Sequence, residues 1–111
     1  MLRGEIYSIN LGKGRDREFS GVQFVVVVTD NFTNSLSMTV RVVPGVDARE
    51  RQGGILVNAT ESGLPHDLRL LPSHIRSIDF GRFAKKKALG TVPTSQMDSL
   101  GERLKSLLEI K

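Results

Sequence analysis

Four consecutive valines, Val25 to Val28, constrain this chain more than any other feature. β-branched side chains are stiff at χ1 and pack well on a pleated surface, so the run Gln23 to Thr29 is expected to be a strand. Its apolar character is continuous rather than alternating, which predicts a central strand covered on both faces. A chain of 111 residues builds one such core, so residues 1–111 are expected to form a single domain. The longest apolar run, Phe24 to Val28, is far below the roughly 20 residues needed to cross a bilayer. No membrane association is expected.

Around that strand the sequence reads as a series of short strands. Arg3 to Asn10 alternates and suits a first strand. The charged, glycine-bearing stretch Leu11 to Glu18 is a loop, and Asp30 to Ser35 is a polar turn. Ser37 to Val43 alternates and is expected to end at Pro44-Gly45. Val46 to Gly54 reads as an exposed connection. Gly54 to Asn58 and Asp67 to Leu71 are further strands, separated by a loop through Gly63-Leu64-Pro65. Ser73 to Asp79 is open between strand, turn and one helical turn. Phe80 to Lys87 is a basic linker, and Ala88 to Val92 a last short strand. From Pro93-Thr94-Ser95 onward, Met97, Leu100, Leu104, Leu107 and Leu108 recur at helical spacing. Gly101 inside this helix costs about 1 kcal/mol relative to alanine, so packing must hold the helix in place. Many strands followed by one closing helix give a mostly β, α+β fold: a small, bent, antiparallel sheet or partly open barrel with a helix packed on it.

Zero cysteines remove any disulfide framework or thiolate metal site. His66 and His74, the two histidines, make no metal site by themselves, although carboxylates could join them. Sixteen Lys+Arg against 12 Asp+Glu give a net charge of +4 and a pI near 9.9. That balance suits a polyanionic partner, and equally a protein that is simply basic. The opening Met1 to Glu5 carries no apolar signal region, which leads to the expectation of a cytoplasmic protein.

Arg3-Gly4-Glu5-Ile6-Tyr7 resembles the RGEIW/Y or RGDVY opening of the MazF/PemK/Kid family of bacterial toxins. The later parts follow in family order: Glu18 in a loop, Gly21 before a valine-rich strand, Asp30 with Asn34, then Thr39-Val40. Asp67 stands where the family often reads KDS. Ile75-Arg76-Ser77-Ile78-Asp79 resembles QIRTID, Leu89-Gly90-Thr91-Val92 resembles IGTL, and Met97 to Leu108 resembles the closing helix. The resemblance implies an SH3-like antiparallel β-barrel of the CcdB/Kid type with a C-terminal α-helix. It further implies a homodimer, a cognate antitoxin as partner, and metal-independent cleavage of single-stranded RNA with no cofactor.

Such cleavage needs a base for the 2′-hydroxyl proton, an acid for the leaving 5′-oxygen and donors for charge on the phosphorane. Several family residues for these roles are replaced. The arginine of the family's Arg-Pro pair is Gln23, followed by Phe24; the family's threonine falls at Val46; an arginine and an aspartate of Kid fall at Leu71 and Ser73. Arg69, two residues before Leu71, is expected to share its face and supply a cation there. His74 has the ring chemistry for proton transfer near neutral pH, Arg76 survives from the family motif, and Glu18 survives as well. These four are the catalytic candidates. Arg15, Arg17, Gln23, Lys85 and Lys86 are candidates for RNA contact. Each has a plainer role available: His74 as a surface hydrogen-bonding group, Arg76 as an anchor of the turn, the lysine run as a solvated surface. The substitutions leave a second function class open, a family member that binds nucleic acid or protein, as CcdB does, without cutting RNA.

Overall fold

The structure, a computed structural model, describes residues 2–12, 21–29 and 38–108. The expected loop beyond Gly12 and the turn at 30–35 lie outside the described residues. Among the described residues seven strands form one sheet: β1 (Glu5–Asn10), β2 (Val22–Val27), β3 (Thr39–Asp47), β4 (Ile55–Val57), β5 (Leu68–Leu70), β6 (Arg76–Asp79) and β7 (Gly90–Thr91). A one-turn helix α1 (Ala59–Ser62) precedes β5, and α2 (Thr94–Leu108) closes the described chain. The path runs β4-β5-β3-β2-β1-β7, with β6 also on β3, and every pairing is antiparallel. The result is a curled, half-closed barrel with a C-terminal helix.

The valine run does what its chemistry requires. Val25, Val26 and Val27 are all fully buried. Val25 and Val27 join one core cluster with Tyr7, Ile9, Val40, Val42, Leu71, Ile78 and Phe83. Val26 joins the other, with Ile6, Val43, Leu68, Leu70, Met97 and Leu100. Successive side chains of a strand point to opposite faces, so β2 stitches the two clusters together. Each buried valine stabilises the fold by about 1.5–3 kcal/mol relative to exposure.

β3 differs from expectation: it continues through Pro44 and Gly45 to Asp47, so Val46 and Asp47 belong to a strand rather than to an exposed connection. The reason is a change of partner. Residues Thr39 to Val42 pair with β6 and Gly45 to Asp47 with β5, so Pro44, which has no N–H to give, sits in the gap between partners. The Pro44 carbonyl still accepts from the Leu71 N–H at 3.0 Å. Ser73 to Asp79 resolves into a 3-10 turn, Pro72–His74, followed by β6. The basic linker begins with a second 3-10 turn, Phe80–Phe83, which drives Phe83 edge-on against Tyr7 at 5.3 Å.

Helix α2 seats Met97, Leu100 and Leu104 on the Val26 face. At Gly101 a Cβ would meet the Arg3 guanidinium at 3.4 Å, an ordinary contact, so packing does not demand glycine there.

Candidate active site

Strand register brings Gln23 and Val46 together, and both line one cavity. Phe24 pairs with Gly45, so the next step of the same ladder sets Gln23 beside Val46. Ile9 pairs with Gln23 on one side, and Val46 pairs with Arg69 on the other. Arg69 pairs in turn with Leu56. Residues directly opposite in an antiparallel ladder share a face, so Ile9, Gln23, Val46 and Arg69 make one cross-strand row on the Tyr7 side of the sheet. Two strand spacings put Arg69 about 10 Å from Gln23, within reach of its long side chain. Within the row the Arg69 Nε is buried with no hydrogen-bond partner among the described residues.

The far end of the row is also cationic. Arg82 and Lys86 line a shallow cavity of about 370 Å³ with Ile9, Asn10 and Gly12. The Arg82 Nη1 donates to the Asn10 carbonyl at 2.8 Å, which ties the basic segment to the end of β1. Lys85 is exposed and adopts a left-handed backbone, φ 61°, that turns the chain between Phe83 and Lys86. Among the expected RNA-contacting residues, Gln23 and Lys86 therefore border one row, with Lys85 beside them. Arg82, missed in the sequence reading, joins them because the 3-10 turn faces it toward β1.

The described members of the expected catalytic set, Arg69, Arg76 and His74, are spread along the sheet. Arg76 pairs with Val42 and so shares the face of Arg69, but Val42 lies four residues before Val46, about 13 Å along β3. His74 ends the 3-10 turn, half-buried, and does not line the cavity beside Gln23 and Val46. Glu18, Arg15 and Arg17 lie outside the described residues.

A second group of side chains was not anticipated from sequence. Ser8, Phe24, Asp47, Glu50 and His66 line a cavity of about 390 Å³ whose inner edge is Gln23 and Val46. Phe24 and His66 meet edge to face, with ring centres 5.8 Å apart. The His66 Nδ1 lies 3.3 Å from the Asp67 carbonyl and 3.9 Å from the Asp47 Oδ2. A carbonyl can only accept, so Nδ1 carries the proton in the neutral ring and Nε2 presents the lone pair. Asp47 is gripped by Arg49, whose Nη2 donates at 2.6 Å and whose backbone N–H donates at 2.9 Å. Those side-chain and backbone hydrogen bonds hold the Asp47 carboxyl well below the usual carboxylate range, so it stays charged. Asp67 is used structurally, accepting the Ala59 N–H at 2.7 Å at the start of α1. Pairing of Asp47 with Arg49 is readable from their spacing; His66 against Phe24 is a tertiary contact with no local signal. Among the described residues no three His, Asp or Glu side chains gather at metal-ligand spacing.

Comparison with known proteins agrees with this architecture. The model of the PemK-like, MazF-like toxins of type II toxin-antitoxin systems matches residues 2–108. Endoribonuclease MazF9 of Mycobacterium tuberculosis is 29% identical over 117 aligned positions, covering 99% of this chain and 98% of the relative. MazF of Deinococcus radiodurans superposes with a TM-score of 0.78 at 20% identity, over 99% of this chain and 97% of that one. An endoribonuclease solved with its cognate antitoxin from a mycobacterial species superposes at 0.72 and 19% identity, over 100% and 97%. At these identities the structural likeness shows the fold.

Proposed function

The chain belongs to the PemK-like, MazF-like toxins of type II toxin-antitoxin systems, and from that premise we propose that it is a growth-inhibiting toxin that cleaves single-stranded RNA without a metal. The observation that carries this reading is the cross-strand row. A cation, Arg69, stands opposite Val46 with its buried Nε unpaired, beside the place where the family's arginine is replaced by Gln23.

Cleavage of this kind is an internal displacement. The 2′-oxygen loses its proton and bonds to phosphorus, the bond to the 5′-oxygen breaks, and that oxygen takes up a proton. The products are a 2′,3′-cyclic phosphate and a 5′-hydroxyl. Arg69 donates to the non-bridging oxygens as negative charge gathers on them, where fixed donors are most effective. Gln23 holds the phosphate or the neighbouring sugar by its amide, and Lys86 with Arg82 holds the flanking backbone. Glu18 is the titratable group we assign to proton transfer; His74 and Arg76, set apart from Gln23 and Val46, are given no part in the proton transfer at the row. Arg15 and Arg17 extend the RNA contact.

The solved mycobacterial relative is held by its cognate antitoxin. We assign this chain the same class of partner, a homodimeric state, and the cytoplasm, where its RNA target lies. No helix among the described residues is long and apolar enough to cross a membrane.

The test is purified protein with a long RNA in EDTA, followed by mapping of the new ends. Discrete cuts with cyclic-phosphate termini that disappear in Arg69→Ala support the reading. No cutting over a wide range of concentration, with RNA or protein binding retained, overturns it in favour of a binding-only family member.

A further inference from the structure

The cavity lined by Phe24, His66 and Glu50 has the wrong chemistry for a phosphate and the right chemistry for a base. Two carboxylates, Asp47 and Glu50, face it, and Asp47 is kept ionised by Arg49. A phosphodiester entering there meets the Glu50 carboxylate and an Asp47 carboxylate whose hydrogen bonds are already taken by Arg49, whereas Arg69 stands in the row and Lys86 at its β1 end. Two aromatic rings, Phe24 and His66, form one wall, fixed against each other edge to face. Unstacked bases are held on such rings and read by hydrogen bonds to their edges. The volume, about 390 Å³, is at the small end of ligand pockets and fits one nucleotide base.

We propose that this cavity receives one unstacked base of the RNA substrate and selects a base that presents amine donors, guanine first, over uracil. The inference rests on the ribonuclease reading above. Glu50 sits on the turn after β3, its N–H donating to the Asp47 carbonyl at 2.9 Å, and lines the cavity from that turn. An ionised carboxylate only accepts. Guanine offers it two adjacent donors, the ring N–H and the exocyclic amine, and adenine and cytosine offer an amine. Uracil turns carbonyl oxygens toward the carboxylates on both sides of its single ring N–H. The Ser8 hydroxyl, beside Phe24 in the β1–β2 register, adds an adaptable donor or acceptor at the floor. Gln23 and Val46 line the cavity and also belong to the row, so the nucleotide that seats its base here leaves its backbone at that shared rim.

Two readouts separate this inference from the reading beneath it. The first is end-sequencing of cuts in a randomised RNA pool. Wild-type protein is expected to prefer guanine and to disfavour uracil at one fixed position from the cut, by roughly tenfold. Glu50→Gln, on an exposed side chain, is expected to flatten that position while other positions keep their preferences. The second needs no cleavage: short 2′-O-methyl oligonucleotides differing in one base, titrated while the ring resonances of Phe24 and His66 are followed by NMR. Base-dependent shifts at both rings, equalised across bases in Glu50→Gln, support the pocket. Cleavage or oligonucleotide binding with both rings unmoved, or with uracil accepted as well as guanine, overturns the pocket and leaves the ribonuclease reading standing. Neither cleavage nor oligonucleotide binding overturns both.

Discussion

Arg69 and Val46 face each other across the β3–β5 ladder, and the Arg69 Nε is buried without an acceptor. A buried donor left unsatisfied costs about 1–3 kcal/mol, so this side chain is held at a disadvantage in the free protein. The Nε itself is out of reach of solvent, but Arg69 as a whole is only half-buried, and we assign the rest of its guanidinium to a phosphate oxygen. Arg69→Ala is therefore expected to lower kcat on RNA by about 10²–10³-fold, as loss of a fixed donor to a developing oxyanion does. The same change deletes the orphan donor, so the melting temperature should hold or rise. Single-turnover kinetics and thermal unfolding check both halves. Intact cleavage with a large loss of stability would sink the assignment.

Gln23 and Val46 lie side by side where the family resemblance places an arginine and a threonine. If Arg69 compensates for that loss, restoring the family pair should add to it. Gln23→Arg with Val46→Thr is expected to raise the cleavage rate above wild type, with Gln23→Arg giving most of the gain. Val46 packs half-buried against the Tyr7 cluster, so its new hydroxyl should cost about 1 kcal/mol of stability. Equal rates for wild type and the double variant would mean that the row is not where the chemistry occurs.

How much of this was legible in the sequence follows from the range of each interaction. The valine run fixed a central strand because burial on both faces is a local property of β-branched residues. The α2 stripe was legible for the same reason: Met97, Leu100 and Leu104 meet one surface at helical spacing. Pro44 misled, because a proline ends a strand only where a partner needs its N–H, and the switch from β6 to β5 is a tertiary fact. Arg69 could be given a face by alternation from Leu71, but its pairing with Val46 depended on register. His66 gave no signal at all. Its neighbours Phe24 and Asp47 come from two other strands, and only the closed fold sets them around one cavity.

Tyr7 makes a prediction that can be read without RNA. Its hydroxyl donates to the Glu5 carboxylate at 3.1 Å, and the ring is buried against Phe83. Burial, that hydrogen bond and the charge of Glu5 all disfavour tyrosinate and push the Tyr7 pKa up to about 12 from 10.0. A raised pKa on an acid stabilises the fold below the unfolded value and withdraws that stability as pH rises from about 10 toward 12. Tyr7 is the only tyrosine and the chain has no tryptophan, so ultraviolet absorbance reports it alone. The native protein should titrate near 12, and Glu5→Gln should move the midpoint down. A midpoint near 10 in folded protein would contradict the buried geometry.

Gly101 lies mid-helix with only the Arg3 guanidinium above it, 3.4 Å from where a Cβ would stand. That guanidinium is the far end of a flexible side chain and can shift. Gly101→Ala should therefore gain most of the helix-propensity difference, about 0.5–1 kcal/mol of added stability. Gly90→Ala is the contrasting case, since its Cβ would be driven into the Ser62 carbonyl oxygen, which is backbone. It should destabilise by several times as much, about 2–3 kcal/mol, as overpacking does. Chemical denaturation of both variants gives the comparison, and a stabilised Gly90→Ala would show that α1 and β7 are not packed as described.

The basic segment closes the row at its β1 end, and its role is separable from simple net charge. Lys86 lines the Asn10 cavity with Arg82, whereas Lys105 projects from α2, a helix packed on the opposite, Val26 side of the sheet. Both substitutions to alanine remove one positive charge. If Lys86 neutralises a phosphate, Lys86→Ala should reduce the slope of log affinity against log salt by about 0.7, the value for one contact to a single strand. Lys105→Ala should leave the slope unchanged. Filter binding of an uncleavable RNA between low and physiological salt measures both. Equal changes in the two variants would assign the salt dependence to overall charge, and no change in either would place the RNA backbone elsewhere on the sheet.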